Sequence, residues 1–357
     1  MQPVMLDHLP DGLLDCPATH LHDMLQAPTL IHLSGRRPQP LFVSVLQHGN
    51  EISGWDAVRR LLKGRYLRDP LPRSMILFIA NVRAASRRQR KLTDQPDFNR
   101  CWPGADTGDS PWHEMFAEIT RHVRELRPLA SIDIHNNSGE NPHYAAINHI
   151  GPQSLRLASM FSRTVIYFSR PRGVQSMAFG EFCPAVTLEC GPPHRLDGTD
   201  HAMTYLDTIL NLDQIPDGPP SPENIELYEM VATVNVADDR SFSFTPDGSS
   251  LVLRSDLDRL NFEELPPGTR LGHINDDAGL PLVAITHEGR DVSREWFSIR
   301  DGDIVTSRPL MPAMLTTEER IIRQDCLCHL MERISSDALL EPDRRRSELP
   351  ETGHEAI

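Results

Sequence analysis

The sequence has 357 residues, of which 39% are hydrophobic, 24% are charged and 6% are aromatic. This mixture supplies enough apolar side chains for a large core, which excludes a chain that is disordered throughout. The 36 Lys and Arg residues against 50 Asp and Glu residues leave a net charge of −14, and this acidity argues against nucleic acid and anionic membranes as partners, because both attract clustered cations.

Cysteine usage and the amino-terminal segment indicate the compartment. The first residues carry acids and prolines, where a secretory signal has a basic start and an apolar run. No stretch reaches the roughly 20 apolar residues that span a bilayer. The six cysteines contain no Cys-x-x-Cys pair, so we expect reduced thiols. The sequence therefore predicts a soluble cytoplasmic protein, and it indicates no oligomeric state.

Short apolar runs alternate with helical patterns over the first 214 residues. The apolar runs predict strands at 41–46, 75–80, 130–134, 164–168 and 185–188. Between them, apolar spacings of three and four predict helices such as 52–63 and 112–126. Continuous apolar strands that alternate with helices indicate a mainly parallel sheet with helices on both faces. We therefore expect an α/β domain over residues 1–214.

The pattern changes after a proline-rich connector at 215–222. Residues 225–315 show short alternating segments separated by turn formers, which predict a small β domain. The capping-box pattern that starts at Thr316 predicts a last helix within 316–340. The charged tail at 341–357 is expected to be disordered.

The first candidate site lies where the first core strand ends. His48 leaves this strand, Gly49 permits a sharp turn, and Glu51 precedes the next helix. An imidazole and a carboxylate three residues apart are suitable zinc ligands. The same His-x-x-Glu spacing at His122 and His329 fits ordinary helix faces. We favour the first pair because it follows the carboxyl end of a buried strand, where open α/β sheets place their sites.

A catalytic zinc needs a third protein ligand. The best candidate is His135, at the end of the strand predicted over 130–134. Asp133 lies two residues earlier on the same side of that strand, where it could orient the imidazole. The alternative for His135 is a half-buried histidine that caps a strand.

Two further segments offer polar groups for a substrate. Asn99 and Arg100 provide planar donors suited to a carboxylate. Arg90 could polarise a carbonyl and stabilise an oxyanion, although the basic run 87–90 also suits a solvated surface. Glu189 ends a strongly apolar strand, where an unpaired charge is costly. Glu189 would act as a general base and then a general acid, or it would form a structural ion pair with an arginine.

Together these segments resemble the zinc carboxypeptidase superfamily, and specifically its aspartoacylase/succinylglutamate desuccinylase branch. That branch carries HGNE, an Asn-Pro-Arg-Ala-type segment, DxNR before a Pro-Gly turn, DxH at a strand end and a late Glu-x-Gly. The corresponding segments here, in the same order, are His48-Gly-Asn-Glu51, Asn81-Val-Arg-Ala84, Asp97-Phe-Asn-Arg100 with Pro103-Gly104, Asp133-Ile-His135 and Glu189-Cys-Gly191. They lie within residues 41–191, and the small C-terminal β domain fits this branch better than the plain carboxypeptidases.

The resemblance implies a zinc-carboxypeptidase-like α/β fold, with a mixed, mainly parallel sheet between helices. It also implies hydrolysis of the amide bond of an N-acyl amino acid or a similar small molecule by a metal-activated water. By this resemblance, His48, Glu51 and His135 would bind one Zn²⁺ per chain, and Glu189 would act as general base and general acid. Asn99 and Arg100 would bind a substrate carboxylate. Arg90 would stabilise the oxyanion, with Arg87 or Arg88 as alternatives.

One pair of positions departs from the family pattern. Aspartoacylases carry a Tyr and an Arg fourteen and ten residues before the base, against the acidic substrate; these positions here are Gln175 and Phe179. The departure argues against N-acetylaspartate and other dicarboxylates. Two alternatives remain. A metallocarboxypeptidase acting on short peptides is disfavoured by the β domain, which would narrow the cleft. A non-catalytic binding protein on the same scaffold is disfavoured by the intact ligand set and Glu189.

Overall fold

A computed structural model describes residues 2–106, 108–193 and 195–334. The expected tail at 341–357 lies outside the described residues. The strands are β1 Val4–Leu6, β2 Thr29–Leu33, β3 Gly35–Val45, β4 Leu71–Ile79, β5 Ala130–His135, β6 Tyr144–Ile147, β7 Thr164–Tyr167, β8 Ala185–Glu189, β9 Glu226–Val236, β10 Phe242–Ser243, β11 Leu251–Leu253, β12 Arg270–Ile274, β13 Leu282–Thr286, β14 Phe297–Arg300, β15 Asp303–Thr306, β16 Met311–Ala313 and β17 Cys328–Arg333. The helices are α1 Leu21–Leu25, α2 Ser53–Gly64, α3 Val82–Ser86, α4 Pro111–Glu125, α5 Pro152–Ser159, α6 Gln175–Gly180, α7 Leu196–Asn211, α8 Ser293–Trp296 and α9 Glu319–Gln324.

The five strands predicted in the first part of the chain are present as β3, β4, β5, β7 and β8, and the two helices as α2 and α4. They belong to a large mixed sheet of twelve strands, ordered β1-β2-β4-β3-β5-β8-β6-β7-β9-β17-β16, with β13 also paired to β9. The central neighbours β4, β3, β5 and β8 are parallel to one another. This sheet confirms the predicted mixed, mainly parallel α/β fold.

Alternate side chains of each central strand face opposite layers of helices. On β3, Val43 belongs to the core that contains Trp55 of α2 and Leu206 of α7. Its neighbour Phe42 belongs to the core on the other face, with Phe116 of α4. Both faces are therefore covered, which explains why the central strands are continuously apolar in the sequence.

The region predicted as a separate small β domain is divided between two sheets. A second sheet of five strands, ordered β10-β11-β12-β15-β14, has its own apolar core. In contrast, β9 pairs in parallel with β7 and continues the large sheet, which β13, β16 and β17 also join. The boundary predicted at residue 225 is therefore not a boundary between sheets. An alternating pattern predicts a strand, but it does not specify which strand pairs with it.

The predicted helix at 316–340 is present only as the short α9, and the prediction is wrong for the described residues that follow it. Only α9 is helical there, and the chain then enters strand β17. The Thr316 hydroxyl accepts from the Glu318 backbone N–H at 3.2 Å, which closes a local turn ahead of the helix. His329 consequently lies in a strand, not on the helix face that its spacing to Glu332 indicated.

Two further observations concern the whole described chain. All six cysteines are buried and free. Within residues 2–334, apart from the two undescribed positions, no helix combines the length and the apolar character that crossing a membrane requires.

Candidate active site

The candidate site lies at the carboxyl ends of β3, β5 and β8, three adjacent strands of the large sheet. His135 and Glu189 are the last residues of β5 and β8, and they are paired in register. His48 and Glu51 lie in the segment that joins β3 to α2. The parallel arrangement thus brings together residues that are far apart in the sequence, at the edge where such sheets bind ligands.

The turn that carries His48 is built differently from expectation. The left-handed residue is the buried Leu46, with φ 59°, whereas Gly49 does not have a positive φ. Gly49 is instead required by a close approach, since an added Cβ would lie 2.2 Å from the backbone nitrogen of Ala85 in α3. The glycine lets the loop pack directly against that helix.

Three buried side chains form a potential metal-binding cluster. Potential ligand atoms of His48, Glu51 and His135 all lie within 4.8 Å of one another. The Glu51 carboxylate lies between the two imidazoles, 2.7 Å from Nδ1 of His48 and 2.8 Å from Nδ1 of His135. Two imidazole nitrogens and one carboxylate oxygen are a donor set of catalytic zinc sites, so these residues fit a zinc ion.

Each imidazole is also oriented by a second carboxylate. Nε2 of His48 is 2.9 Å from Oδ1 of Asp97, and Nε2 of His135 is 2.8 Å from Oδ2 of Asp133. Such hydrogen bonds fix the ring position of metal-binding histidines and raise their basicity. The sequence predicted this role for Asp133 but not for Asp97. Asp97 is far from His48 along the chain, and the DxNR pattern alone does not show which side chain it contacts.

The charges in the cluster favour protonated imidazoles when no cation is bound. Burial lowers the pKa of His135, but the Asp133 and Glu51 carboxylates outweigh burial and hold it well above its ordinary value. Burial and Arg90 lower the pKa of His48, yet Glu51 and Asp97 again raise it overall. The carboxylates thus create a site for positive charge, which either protons or a metal ion can supply.

Asn136 connects the three loops of the site. Its backbone N–H donates to Oε2 of Glu51 at 3.1 Å, and its side-chain amide donates to the Ser53 hydroxyl at 2.9 Å and to the Gly191 carbonyl at 2.7 Å. The end of β5, the start of α2 and the end of β8 are thereby held in fixed positions. Sequence reasoning missed this residue, because an asparagine after a strand gives no signal of such contacts.

Glu189 faces the cluster from the neighbouring strand. Burial and, to a smaller extent, nearby Glu51 raise the pKa of Glu189, while His135 and a hydrogen bond from Asn137 lower it; the net result is a pKa of about 7. Nδ2 of Asn137 donates to Oε2 of Glu189 at 3.2 Å. No described arginine lies within 4.0 Å of this carboxylate, which argues against the structural ion pair. A carboxyl group with a pKa near neutrality can both accept and donate a proton.

Asn99 and Arg100 line the cavity beside the cluster. They belong to a single 3-10 turn, whose start is capped by the Asp97 side chain through the Asn99 backbone N–H at 2.9 Å. Oδ1 of Asn99 is buried and has no hydrogen-bond partner. Among the described residues, no carboxylate forms an ion pair with Arg100, whose guanidinium donates to the Asn99 carbonyl at 2.7 Å. Both side chains therefore have unused capacity for a ligand.

Arg90 is the one of the three candidate oxyanion-stabilising arginines that lines the cavity. Its Nε and one terminal nitrogen donate to Oδ2 of Asp97 at 3.2 and 3.1 Å. Its other terminal nitrogen is 3.8 Å from Oε1 of Glu51. Arg87 and Arg88 are exposed. The arrangement places a permanent positive charge next to the metal-binding cluster.

The cavity has a volume of about 730 Å³, and much of its lining was not predicted. Tyr144 on β6 is the register partner of Glu189 and forms a side-chain hydrogen bond with Asn137. Asp325 and His329, from the segment around the start of β17, also line the cavity. These residues were missed because they reach the site through strand pairings that the sequence pattern does not encode.

The two positions that depart from the aspartoacylase pattern do not line the cavity. Gln175 is fully buried and donates to the Ser131 hydroxyl at 3.0 Å. Phe179 is also fully buried and stacks on Phe42, with 4.6 Å between ring centroids. Both side chains belong to the packing beneath the site.

Comparisons with known proteins agree with the fold. Residues 39–212 match the family described as the succinylglutamate desuccinylase/aspartoacylase catalytic domain. This match confirms the resemblance that the five sequence segments indicate. No curated protein sequence matches the chain.

Solved structures with the same fold share little sequence with this chain. Succinylglutamate desuccinylase from Vibrio parahaemolyticus is 13% identical with a TM-score of 0.57, and the match covers 86% of each chain. Succinylglutamate desuccinylase/aspartoacylase from Rhodobacter sphaeroides is 14% identical with a TM-score of 0.56, over 85% of this chain and 88% of that one. Murine aminoacylase 3 is 18% identical with a TM-score of 0.53, over 84% and 97%.

Proposed function

We propose that this protein is a zinc-dependent deacylase, because residues 39–212 belong to the succinylglutamate desuccinylase/aspartoacylase catalytic-domain family. Its substrate would be an N-acyl amino acid or a similar small molecule, whose amide bond it hydrolyses. The observation that carries the proposal is the buried cluster of His48, Glu51 and His135, with Glu189 in register beside it. The cytoplasmic location indicated by the sequence remains a prediction.

His48, Glu51 and His135 would hold one zinc ion, oriented by Asp97 and Asp133. When bound, zinc supplies Lewis acidity that polarises the substrate carbonyl and acidifies water. The remaining chemistry belongs to side chains of this chain.

Glu189 would take a proton from the attacking water and then give it to the departing amine. Two features support this role. Its pKa is raised to about 7 by burial, and a general base works best when its pKa lies near the working pH. Its position opposite His135 places it beside the cluster without making it a ligand.

Asn99 and Arg100 would hold the carboxylate of the amino acid, because a guanidinium and an amide can bind both carboxylate oxygens. Arg90, held by Asp97, would stabilise the negative charge that develops on the carbonyl oxygen. With both ends of the substrate held in this way, its amide carbon would lie between the metal cluster and Glu189.

The test compares zinc-loaded, metal-stripped and reloaded protein on a panel of N-acyl amino acids and short peptides, with amine release as the readout. We expect one zinc per chain, loss of activity on stripping and recovery on reloading. His48→Ala should not recover, whereas the matched control His20→Ala, at an exposed position, should behave like the parent protein.

Activity that survives metal removal would refute the zinc-dependent mechanism. Faster cleavage of peptides than of N-acyl amino acids would support the metallocarboxypeptidase alternative. Zinc binding without turnover of any panel member would support the non-catalytic alternative.

A further inference from the structure

One wall of the cavity is apolar and extends along the sheet away from the metal-binding cluster. We call it the apolar wall, and its members are Ala146 on β6, Ile166 and Phe168 at β7, Met230 on β9, Ala313 on β16, and Met331 on β17. Most of these side chains pack in one apolar cluster. The wall is therefore a continuous surface contributed by five strands.

Strand register places this wall on the same face of the sheet as the catalytic carboxylate. Glu189 is paired with Tyr144, and Thr187, two residues earlier, is paired with Ala146. Ala146 is in turn paired with Ile166 on the next strand. Because paired residues point to the same side of a sheet, the apolar wall lies on the face that carries the Glu189 side chain, and it begins next to that side chain. A substrate with its amide at Glu189 can therefore extend onto this wall.

Among the described arginines that line the cavity, one has no ion-pair partner and is available to bind the carboxylate of a substrate. Of the arginines that line it, Arg90 is hydrogen-bonded to Asp97 and Arg170 forms an ion pair with Asp106. Arg100 has no ion-pair partner among the residues that the structure describes. Further carboxylates, including Asp325, line the cavity and would repel a second anionic group.

From this surface and this charge distribution we infer the substrate class, on the basis of the proposed deacylase function. The substrate carries a single carboxylate, bound at Arg100, and an apolar substituent that packs on the apolar wall. Either the acyl chain or the amino-acid side chain can supply that substituent. The unbranched methionines Met230 and Met331 suit substituents of differing shape, because their side chains adapt readily.

The experiment measures kcat/KM for two substrate series. The first keeps the acetyl group and varies the side chain from glycine through alanine to leucine, methionine and phenylalanine. N-acetylaspartate, a dicarboxylate, and N-succinylglutamate, a tricarboxylate, are measured for comparison. The second keeps alanine and lengthens the acyl chain from acetyl to hexanoyl. We expect kcat/KM to rise by at least about tenfold along one series, as hydrophobic pockets discriminate methylene groups. The series that responds identifies which substituent lies on the wall.

A variant pair tests the wall directly. Met230→Gln keeps the length of a partly buried side chain but makes it polar, and Met24→Gln makes the same change on the exposed part of α1. Met230→Gln should remove most of the preference for long apolar substituents. Met24→Gln should keep the full preference.

Binding measurements separate this inference from the proposed function. Calorimetric titration of the Glu189→Gln variant with the same compounds reports affinity without turnover. If no compound is cleaved but apolar monocarboxylates still bind more tightly than N-acetylaspartate and N-succinylglutamate, the deacylase proposal fails and the inference stands. If N-acetylaspartate or N-succinylglutamate is the best substrate or ligand, or if Met230→Gln does not change the preference, the inference is wrong.

Discussion

His135 and Glu189 lie directly opposite each other as the last residues of the neighbouring parallel strands β5 and β8. The distance between a potential metal ligand and the potential proton acceptor is therefore set by hydrogen bonding between two buried strands. Sites built on sheet strands hold their geometry more rigidly than sites built on loops. In this chain the loop residue Glu51 is then fixed to the strands by the Asn136 backbone N–H, and the Asn136 side chain holds Ser53 at the start of α2.

Glu189→Gln should abolish turnover but not metal binding. Glutamine keeps the size of the side chain and cannot accept the proton, so kcat should fall by about 10²–10⁴-fold, as expected for loss of general acid–base catalysis. Zinc content, measured by atomic emission, should stay at one per chain. Glu181→Gln, at an exposed position near the end of α6, is the matched control. Loss of zinc from the Glu189 variant would make this residue a ligand.

Asp133→Asn should weaken zinc binding without unfolding the protein. The single oxygen of asparagine can still accept from Gln47, and its amide nitrogen can donate to the Ser44 hydroxyl in place of accepting from it. The substitution removes the negative charge behind His135. Loss of such an orienting carboxylate typically lowers metal affinity by about 10–100-fold. Competition with a chromophoric chelator measures this affinity, and Asp69→Asn, an exposed change, provides the reference. Equal affinities in both variants would show that Asp133 does not support the metal site.

Arg100→Lys should raise KM and leave the zinc content unchanged. A single ammonium cannot reproduce the two parallel hydrogen bonds of a guanidinium to a carboxylate. Steady-state kinetics with the best substrate of the panel gives KM and kcat separately. Arg36→Lys, at an exposed position in β3, should be indistinguishable from the parent. Native kinetics in Arg100→Lys would mean that the carboxylate binds elsewhere.

Zinc binding should release protons and strengthen as the pH rises. In the metal-free protein the pKa values of His48 and His135 are raised, so both imidazoles are protonated at pH values where an ordinary histidine is neutral. Zinc binds the neutral imidazole, and protons therefore compete with it below those raised pKa values. Calorimetry at pH 7 in buffers of different ionisation enthalpy counts the released protons. Proton release close to zero would contradict the raised pKa values.

Gly49→Ala should destabilise the protein. The added Cβ would lie 2.2 Å from the backbone nitrogen of Ala85, and backbone cannot move aside as a flexible side chain can. Overpacking of this kind costs about 1–3 kcal/mol in the free energy of unfolding, which urea denaturation measures. Gly64→Ala at the end of α2 has nothing within 4 Å of the new methyl group and should be neutral or slightly stabilising. Equal stability of the two variants would show that the loop can rearrange.

The sequence predicted those parts of the site that depend on local patterns. His48, Glu51 and His135 each follow an apolar run, and the parallel sheet brings the ends of such runs together. It did not predict Asp97 beside His48, or the apolar wall, because those neighbours depend on which distant segments pair. Which strands pair depends on packing over the whole fold, so a short sequence pattern does not predict it.

The error at 316–340 has a similar cause. His329 and Glu332 are three residues apart, a spacing that suits a helix face, and capping residues precede them. In the structure β17 pairs with β9 and β16, so pairing with these strands outweighs any local helical preference. Short segments with mixed apolar patterns are the ones in which tertiary contacts decide the secondary structure.

The position of β17 also affects how the chain acquires its fold during synthesis. The proposed zinc ligands and Glu189 all lie within the first 189 residues of the sequence. Met331 emerges from the ribosome much later, and its strand β17 lies between β9 and β16 in the sheet. Until β17 arrives, β9 presents an unpaired strand edge, and such edges recruit other chains. A nascent or truncated chain that stops before residue 325 would therefore contain every proposed zinc ligand yet be prone to aggregate. Chaperone protection of that interval would favour a high yield of folded protein.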